Sequence, residues 1–355
     1  MRVTLKTLAA RLNLTEAAVS MAMRNHPRIG LETRRKVQSL AQELGYVRNP
    51  ALARQGALAK ARGHQGMPLA LILQTHPNSG PGISNFAPRI EKVAQQFGYS
   101  LQVHHLDEIP LPRLGQILFN RGVEAVILGP IFDPEFNARF PWQKFSVVAA
   151  GAGHYRPPCH IVLPDRAGAL IGAVTRCIER GYRKIGMVEY QEPVAPVDFQ
   201  ERMGGHLICR HSLDRSGAEY HHLVSDPYDP KQFLTWFDRT KPDVLICQTE
   251  TPIWWCRQFR PDQANQLGLV VLQLDPSRTE LGFSGFLDDY QLVGTWAMKL
   301  LDTEVRNFER GPTEIPTRQL LDMPWVEGSS LPYRSRGQGS HSGKKKLLVP
   351  EPKNI

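Results

Sequence analysis

Residues 15 to 24 carry the side chains best suited to chemistry on a partner. In Thr15-Glu16-Ala17-Ala18-Val19-Ser20-Met21-Ala22-Met23-Arg24, the apolar Val19, Ala22 and Met23 fall at i, i+3 and i+4 and make one face of a short helix. Glu16, Ala17, Ser20, Met21 and Arg24 are left on the other face. Such a set suits the edges and backbone of a DNA duplex. A carboxylate accepts from a cytosine amino group, a methyl or thioether packs on a thymine methyl, and hydroxyls and arginines hold phosphates. On that reading Glu16, Ala17 and Met21 face bases, while Thr15, Ser20 and Arg24 face phosphates.

The elements that would position this face lie on both sides of it. Leu5, Leu8, Ala9 and Leu12 repeat as one stripe of a helix, with Thr4 as its N-cap. Asn13-Leu14-Thr15 then reads as a tight turn, because Asn tolerates the left-handed conformation and Thr15 caps the next helix. After Pro27 and Gly30, a third helix places Val37, Leu40, Ala41 and Leu44 on one side and ends at Gly45. Three short helices with a tight first turn describe a helix-turn-helix, and equally any small three-helix bundle. Charge separates the two. Residues 1–64 hold 12 Lys+Arg and 3 Asp+Glu, a net of +9 that equals the formal charge of the whole chain. A basic module on a remainder that sums to zero is the footprint of phosphate binding.

Several of these stretches carry a resemblance. Val3-Thr4-Leu5, the run Ala17 to Met23, Thr33-Arg34-Arg35-Lys36-Val37 and Leu44-Gly45-Tyr46-Val47-Arg48-Asn49-Pro50 resemble the lactose/galactose-repressor family of bacterial transcriptional regulators. The match is close over the first fifty residues and looser to about residue 330. It implies a helix-turn-helix headpiece over 1–48, with Asn25, Thr33 and Arg34 also at the DNA. It implies a hinge over 49–66, then a two-lobed, type I periplasmic-binding-protein-like α/β domain over 67–330, the chain crossing between lobes three times. Family hinges insert a leucine into the minor groove. Counting from Asn49, that position holds Gln55, with Leu52 and Leu58 the nearest substitutes. The hinge residues read either as a helix that folds on DNA or as a basic tether. Gly56 weakens any helix there by about 1 kcal/mol relative to Ala.

From residue 69 the chain alternates apolar runs with helical segments. Strands are expected at 69–73, 100–106, 124–129, 146–150, 185–189, 218–224, 243–248 and 268–274. Helices are expected at 86–97, 166–180, 199–213, 230–239 and 289–305. Apolar strands alternating with helices mean parallel sheets covered on both faces. From 331 the chain turns polar, Gly/Ser-rich and basic, with six Lys+Arg against one Glu, and is expected to be disordered.

Enzyme signatures are missing, and no catalytic role, cofactor or metal is expected. Gly151-Ala152-Gly153 lacks the third glycine of a dinucleotide fingerprint, and there is no Gly-Lys-Ser/Thr loop and no Gly-x-Ser-x-Gly elbow. His104-His105 and His221-His222 fall on expected strands, where neighbours point to opposite faces and do not chelate one ion. Five cysteines (159, 177, 209, 247, 256) are scattered without a metal spacing. With no signal peptide before Met1-Arg2-Val3 and no run of 18 apolar residues, they read as reduced thiols in a cytoplasmic protein.

What remains is binding between lobes. Glu201-Arg202-Met203-Gly204-Gly205 resembles the family's Arg-x-x-Gly, which implies that Arg202 contacts an effector. Asp275, after the strand ending at Leu274, stands where the family often has an acceptor for ligand hydroxyls. Asp288 joins the candidates, and Phe86, Tyr228, Trp254 and Tyr290 are possible walls. Thr249-Glu250 replaces the family's usual Asn-Asp, and Gly151 its usual first-lobe acidic residue, so a standard sugar pocket is not expected. The reading is a DNA-binding regulator, a repressor acting as a homodimer on a near-palindromic operator. The competing class is a small-molecule binding protein or enzyme with a vestigial N-terminus.

Overall fold

The computed structural model describes residues 4–23, 25–26, 28–44, 46, 66–74, 86–106, 111–131, 133, 135–151, 156–190, 196–214, 217–226 and 229–334. The chain begins with α1 (Leu5–Leu12), α2 (Glu16–Ala22) and α3 (Leu31–Glu43). The Thr4 hydroxyl accepts from the Thr7 amide at 3.3 Å and the Thr7 hydroxyl from the Thr4 amide at 3.2 Å, closing a capping box on α1. Asn13 ends the helix at φ 52°, left-handed, and the Thr15 hydroxyl caps α2 by accepting from the Ala18 amide at 3.1 Å. Leu8, Ala9, Val19, Ala22, Val37 and Ala41 make a buried core among the three helices.

Beyond the headpiece come β1 (Met67–Leu73), α4 (Phe86–Gln96), β2 (Tyr99–His105), α5 (Leu111–Asn120), β3 (Ala125–Leu128), α6 (Phe136–Arg139), β4 (Ser146–Ala150) and β5 (His160–Pro164). Next are α7 (Arg166–Glu179), β6 (Lys184–Tyr190), α8 (Pro196–Asp214), β7 (Glu219–Ser225), α9 (Pro230–Thr240), β8 (Val244–Cys247), α10 (Thr251–Phe259), α11 (Pro261–Ala264), β9 (Gly268–Leu274) and β10 (Ser284–Leu287). Helix α12 (Tyr290–Asn307) and strands β11 (Arg318–Leu321) and β12 (Trp325–Val326) complete the series. The strands form two six-stranded sheets, in the orders β11-β5-β4-β3-β1-β2 and β12-β10-β9-β8-β6-β7. The pairs β1–β2, β1–β3, β3–β4 and β4–β5 of the first sheet, and β6–β7, β6–β8, β8–β9 and β9–β10 of the second, are parallel, while β12 joins β10 antiparallel. Central strands such as β4 and β8 are buried throughout, which is why they read as unbroken apolar runs.

The chain divides into two compact units. Unit 1 comprises Met1–Val162 with Gln291–Gln319, and unit 2 Leu163–Tyr290 with Leu320–Ile355, so the chain passes between them three times. The five cysteines are free and buried. No described helix is long and apolar enough to cross a membrane.

Helices α5, α6, α10 and α11 and strands β5, β10, β11 and β12 are not anticipated from sequence. Breakers hid α5 and α10. Pro112 and Pro252 sit at the second position of α5 and α10, where the missing N–H costs nothing. Gly115 interrupts the apolar pattern of α5 because a Cβ there would lie 2.4 Å from the Pro141 ring. The fold also runs four residues past the expected boundary at 330. Leu331 is buried, the Arg180 guanidinium donates to its carbonyl at 2.6 Å, and Tyr182 donates its hydroxyl proton to the Pro332 carbonyl at 2.9 Å. Arg334 closes on Asp243 at 3.1 Å. The expected tail beyond Arg334 and most of the expected hinge lie outside the described residues.

Candidate functional site

The outer face of α2 is arranged as the spacing implies. Glu16 and Ala17 are exposed, Ser20 and Met21 half-buried, while Val19 and Ala22 point into the headpiece core. Thr4 and Thr15 are exposed, with their hydroxyls engaged in the two caps. Asn25, also exposed, takes φ 57° just after α2. Its carbonyl accepts from Arg34 Nη1 at 3.2 Å and its Oδ1 from Gln38 Nε2 at 2.9 Å, so Asn25 and Arg34 tie the end of α2 to α3. Thr33 is half-buried in the first turn of α3. Arg24, Asn49, Leu52 and Gln55 lie outside the described residues.

In unit 2 a polar group gathers around strand β6. Glu189 is buried on that strand, and Arg202 is buried on α8 with Nε 3.8 Å from Glu189 Oε2. His206, one turn further along α8, places Nε2 2.7 Å from Glu189 Oε1 and Nδ1 within hydrogen-bond distance of the Tyr220 hydroxyl. Burial alone would raise the Glu189 carboxyl. The hydrogen bond from His206, the neighbouring His222 imidazole and the charge of Arg202 more than offset it and hold the group well below the usual carboxylate range. A small cavity beside this group is lined by Arg166, Leu170, Glu189, Arg202, Gln248 and Gln273, among others.

The expected ligand residues divide. Arg166 Nη2 lies 3.4 Å from Asp288 Oδ2 and 3.3 Å from the Tyr290 hydroxyl, so Arg166 links two of them to the cavity that Arg202 also lines. Asp275 acts as a cap: its Oδ1 accepts from the amide of Ser277 at 2.8 Å and from its hydroxyl at 2.7 Å, opening the 3-10 turn Pro276–Leu281. The Thr249 and Tyr190 hydroxyls are 2.6 Å apart. Glu250 is buried with Oε2 3.3 Å from Arg278 Nη1. Phe86 belongs to the buried interior of unit 1, and Trp254 meets Phe283 edge-on. Tyr228 lies outside the described residues.

Sequence reasoning missed Arg166, Glu189 and His206. Glu189 left a trace, since an acidic side chain within the apolar run of a central parallel strand needs partners. His206 left none, because its partners come from β6 and β7, distant in the chain.

No protein-family model matches the chain. The NTD biosynthesis operon regulator NtdR of Bacillus subtilis is 26% identical over 207 residues, 57% of this chain; the chain spans 59% of that relative's length. The maltose regulon regulatory protein MalI of Escherichia coli is 23% identical over 261 residues, 70% of this chain and 72% of MalI. Among solved structures, the transcriptional regulator CelR in its cellobiose complex superposes with a TM-score of 0.56 at 19% identity, covering 93% of this chain and all of that one. The lac repressor dimer bound to operator and the anti-inducer ONPF gives 0.55 at 16% identity, covering 94% and 100%. The chain thus has the fold of the LacI-family transcriptional regulators, over nearly its whole length, and resembles regulators of that kind in sequence over more than half of it.

Proposed function

We propose that this chain is a sequence-specific DNA-binding transcriptional regulator, a repressor that works as a homodimer. Its α2 face reads base edges of a near-palindromic operator, and its two-unit domain modulates that affinity through a small ligand. The observation that carries the reading is the headpiece itself. A folded three-helix core presents Glu16 and Ala17 outward on α2, within a segment of 12 Lys+Arg and 3 Asp+Glu. The similarity to NtdR and MalI, both named as regulators, supports it.

The ligand reading rests on unit 2. Arg202 and Arg166 line one cavity, and two arginines suit a ligand carrying carboxylate or phosphate oxygens better than a neutral sugar. Glu189 lies 3.8 Å from Arg202 and Asp288 3.4 Å from Arg166, so an anionic ligand binds here by drawing an arginine away from its carboxylate. No catalytic step is assigned to these residues.

Selection of the full chain on a random duplex library tests the reading. The expected result is enrichment of one motif made of two inverted half-sites, since a two-fold dimer reads a two-fold site. A library that shows no sequence enrichment overturns sequence-specific binding, and a single unrepeated half-site overturns the homodimer.

A further inference from the structure

Three elements of unit 2 bring metal-ligating side chains to one place. Glu189 comes from β6, His206 from α8 and His222 from β7, and their ligand atoms lie within 4.8 Å of one another. His206 Nε2 is 2.7 Å from Glu189 Oε1 and His222 Nε2 is 3.6 Å from Glu189 Oε2. The two imidazoles stack at 3.8 Å between centroids. We propose that Glu189, His206 and His222 form a binding site for a divalent transition-metal ion, with zinc as the type case.

Strand geometry explains the assembly. Tyr220 and His222 stand two residues apart on β7 and so share a face, whereas His221 turns to the other side and meets Glu219 at 3.1 Å. The pair His221-His222 is therefore no chelate, as its spacing implies, but His222 finds its partners across the sheet and from the covering helix. In the register of the sheet, His222 pairs with Met187, and Glu189 lies two residues further along β6 on that same face.

The donor set fits the ion. Two imidazole nitrogens and one carboxylate oxygen make the three-ligand set of open zinc sites, whose fourth position is left to water. Zinc holds such ligands at about 2.0–2.2 Å, so neighbouring ligand atoms sit about 3.3 Å apart; His206 and His222 approach the two oxygens of Glu189 at 2.7 and 3.6 Å, so one oxygen turns to the ion and the shorter contact opens by about half an ångström. His222 Nε2 is buried and has no hydrogen-bond partner among the described residues. Tyr220 at His206 Nδ1 supplies the outer hydrogen bond that orients a ligating histidine, and the ion takes the place of the proton that Nε2 shares with Glu189. The side chains of Glu189 and His206 are 3% and 5% exposed but that of His222 is 21%, which gives the ion an entry side. Nitrogen donors exclude magnesium and calcium, which prefer oxygen shells. Arg202, 3.8 Å from Glu189 Oε2, competes for the carboxylate and weakens the site without closing it.

The test uses the full chain without a histidine tag, stripped with chelator and titrated with zinc alone, then with cobalt. One equivalent of zinc should bind and raise the unfolding temperature, magnesium should do neither, and cobalt should show the visible absorption of tetrahedral nitrogen–oxygen coordination. His222→Gln should weaken zinc at least ten-fold, and Tyr220→Phe, which keeps the packing, about 10–100-fold. Absence of stoichiometric zinc binding overturns the proposal, and so does zinc binding of unchanged strength in a folded His222→Gln or Tyr220→Phe chain. The titration reads unit 2 directly, so its failure leaves the DNA-binding reading standing.

Discussion

Arg34 donates from Nη1 to the carbonyl of Asn25 at 3.2 Å, across the turn that joins α2 to α3. Gln38 reinforces the link, donating to Asn25 Oδ1 at 2.9 Å and to the Ala22 carbonyl at 3.2 Å. The C-terminal end of the face assigned to DNA is thus held by α3 through a residue at φ 57°. Asn25→Ala should destabilise the headpiece by about 1–2 kcal/mol, from left-handed strain and the lost side-chain bond. Asn25→Gly keeps the backbone conformation and should cost less. Amide exchange at Leu8 and Val19 in the full chain reads the difference, and equal protection in both variants would show that the turn bears no strain.

Glu16 and Arg34 should behave differently on DNA. Glu16→Ala should change preference at one base position by roughly 1–3 kcal/mol, because a base-edge contact discriminates. Arg34→Ala should weaken all sequences alike, through the lost turn contact and phosphate attraction. Binding constants on a panel of single-base operator variants check this. A uniform loss for Glu16→Ala would place α2 wrongly.

Stability should depend on pH through Glu304. This side chain is buried in unit 1, accepts from the Val147 amide at 3.1 Å and has His160 Nε2 4.0 Å from its other oxygen. Burial pushes its carboxyl up to about 8 from an ordinary 4.5; the Val147 hydrogen bond lowers it and the nearby Glu309 charge raises it. The folded chain then keeps a proton that the unfolded chain loses. Stability should fall by up to about 1.4 kcal/mol per pH unit as pH rises between these two values. Glu304→Gln retains an acceptor for Val147 and should flatten the profile there, with a gain that grows up to about pH 8 and then levels off. Denaturation midpoints at several pH values check the slope, and parallel profiles for the two proteins would contradict it.

The helix-turn-helix was legible because local chemistry dictates it. Thr4, Asn13 and Thr15 cap and turn the chain within a few residues, and the stripe from Leu5 to Leu12 meets Val19 and Val37 in one core. The sheets were legible because parallel strands buried on both faces leave unbroken apolar runs, as at β4 and β8. Helix α5 was hidden by Gly115, whose reason is the Pro141 ring, a tertiary contact. The candidate ligand residues were legible only in part. Arg202 stood out by its motif, but Glu189 and His206 meet across β6 and α8, and no local spacing encodes that. Asp275 fitted a ligand role and a strand-end cap equally well in sequence, and in the structure its Oδ1 accepts from the amide and hydroxyl of Ser277.

The cavity beside Arg202 should select charge. Thermal-shift screening of sugars, sugar acids and nucleobases should favour an anionic compound, and a ligand at 100 times its Kd stabilises by about 2.7 kcal/mol. Arg202→Ala should abolish the shift and leave operator affinity without ligand nearly unchanged. A clear shift from a neutral hexose that persists in Arg202→Ala would place the ligand elsewhere.

The most direct test of the central claim is the affinity of the full chain for an operator duplex, measured by fluorescence anisotropy across a range of salt concentrations. A basic headpiece that neutralises several phosphates should give a log–log slope of about −0.9 for each contact, so affinity should fall steeply from low to moderate salt. An affinity that does not change over that range would contradict DNA binding by this headpiece.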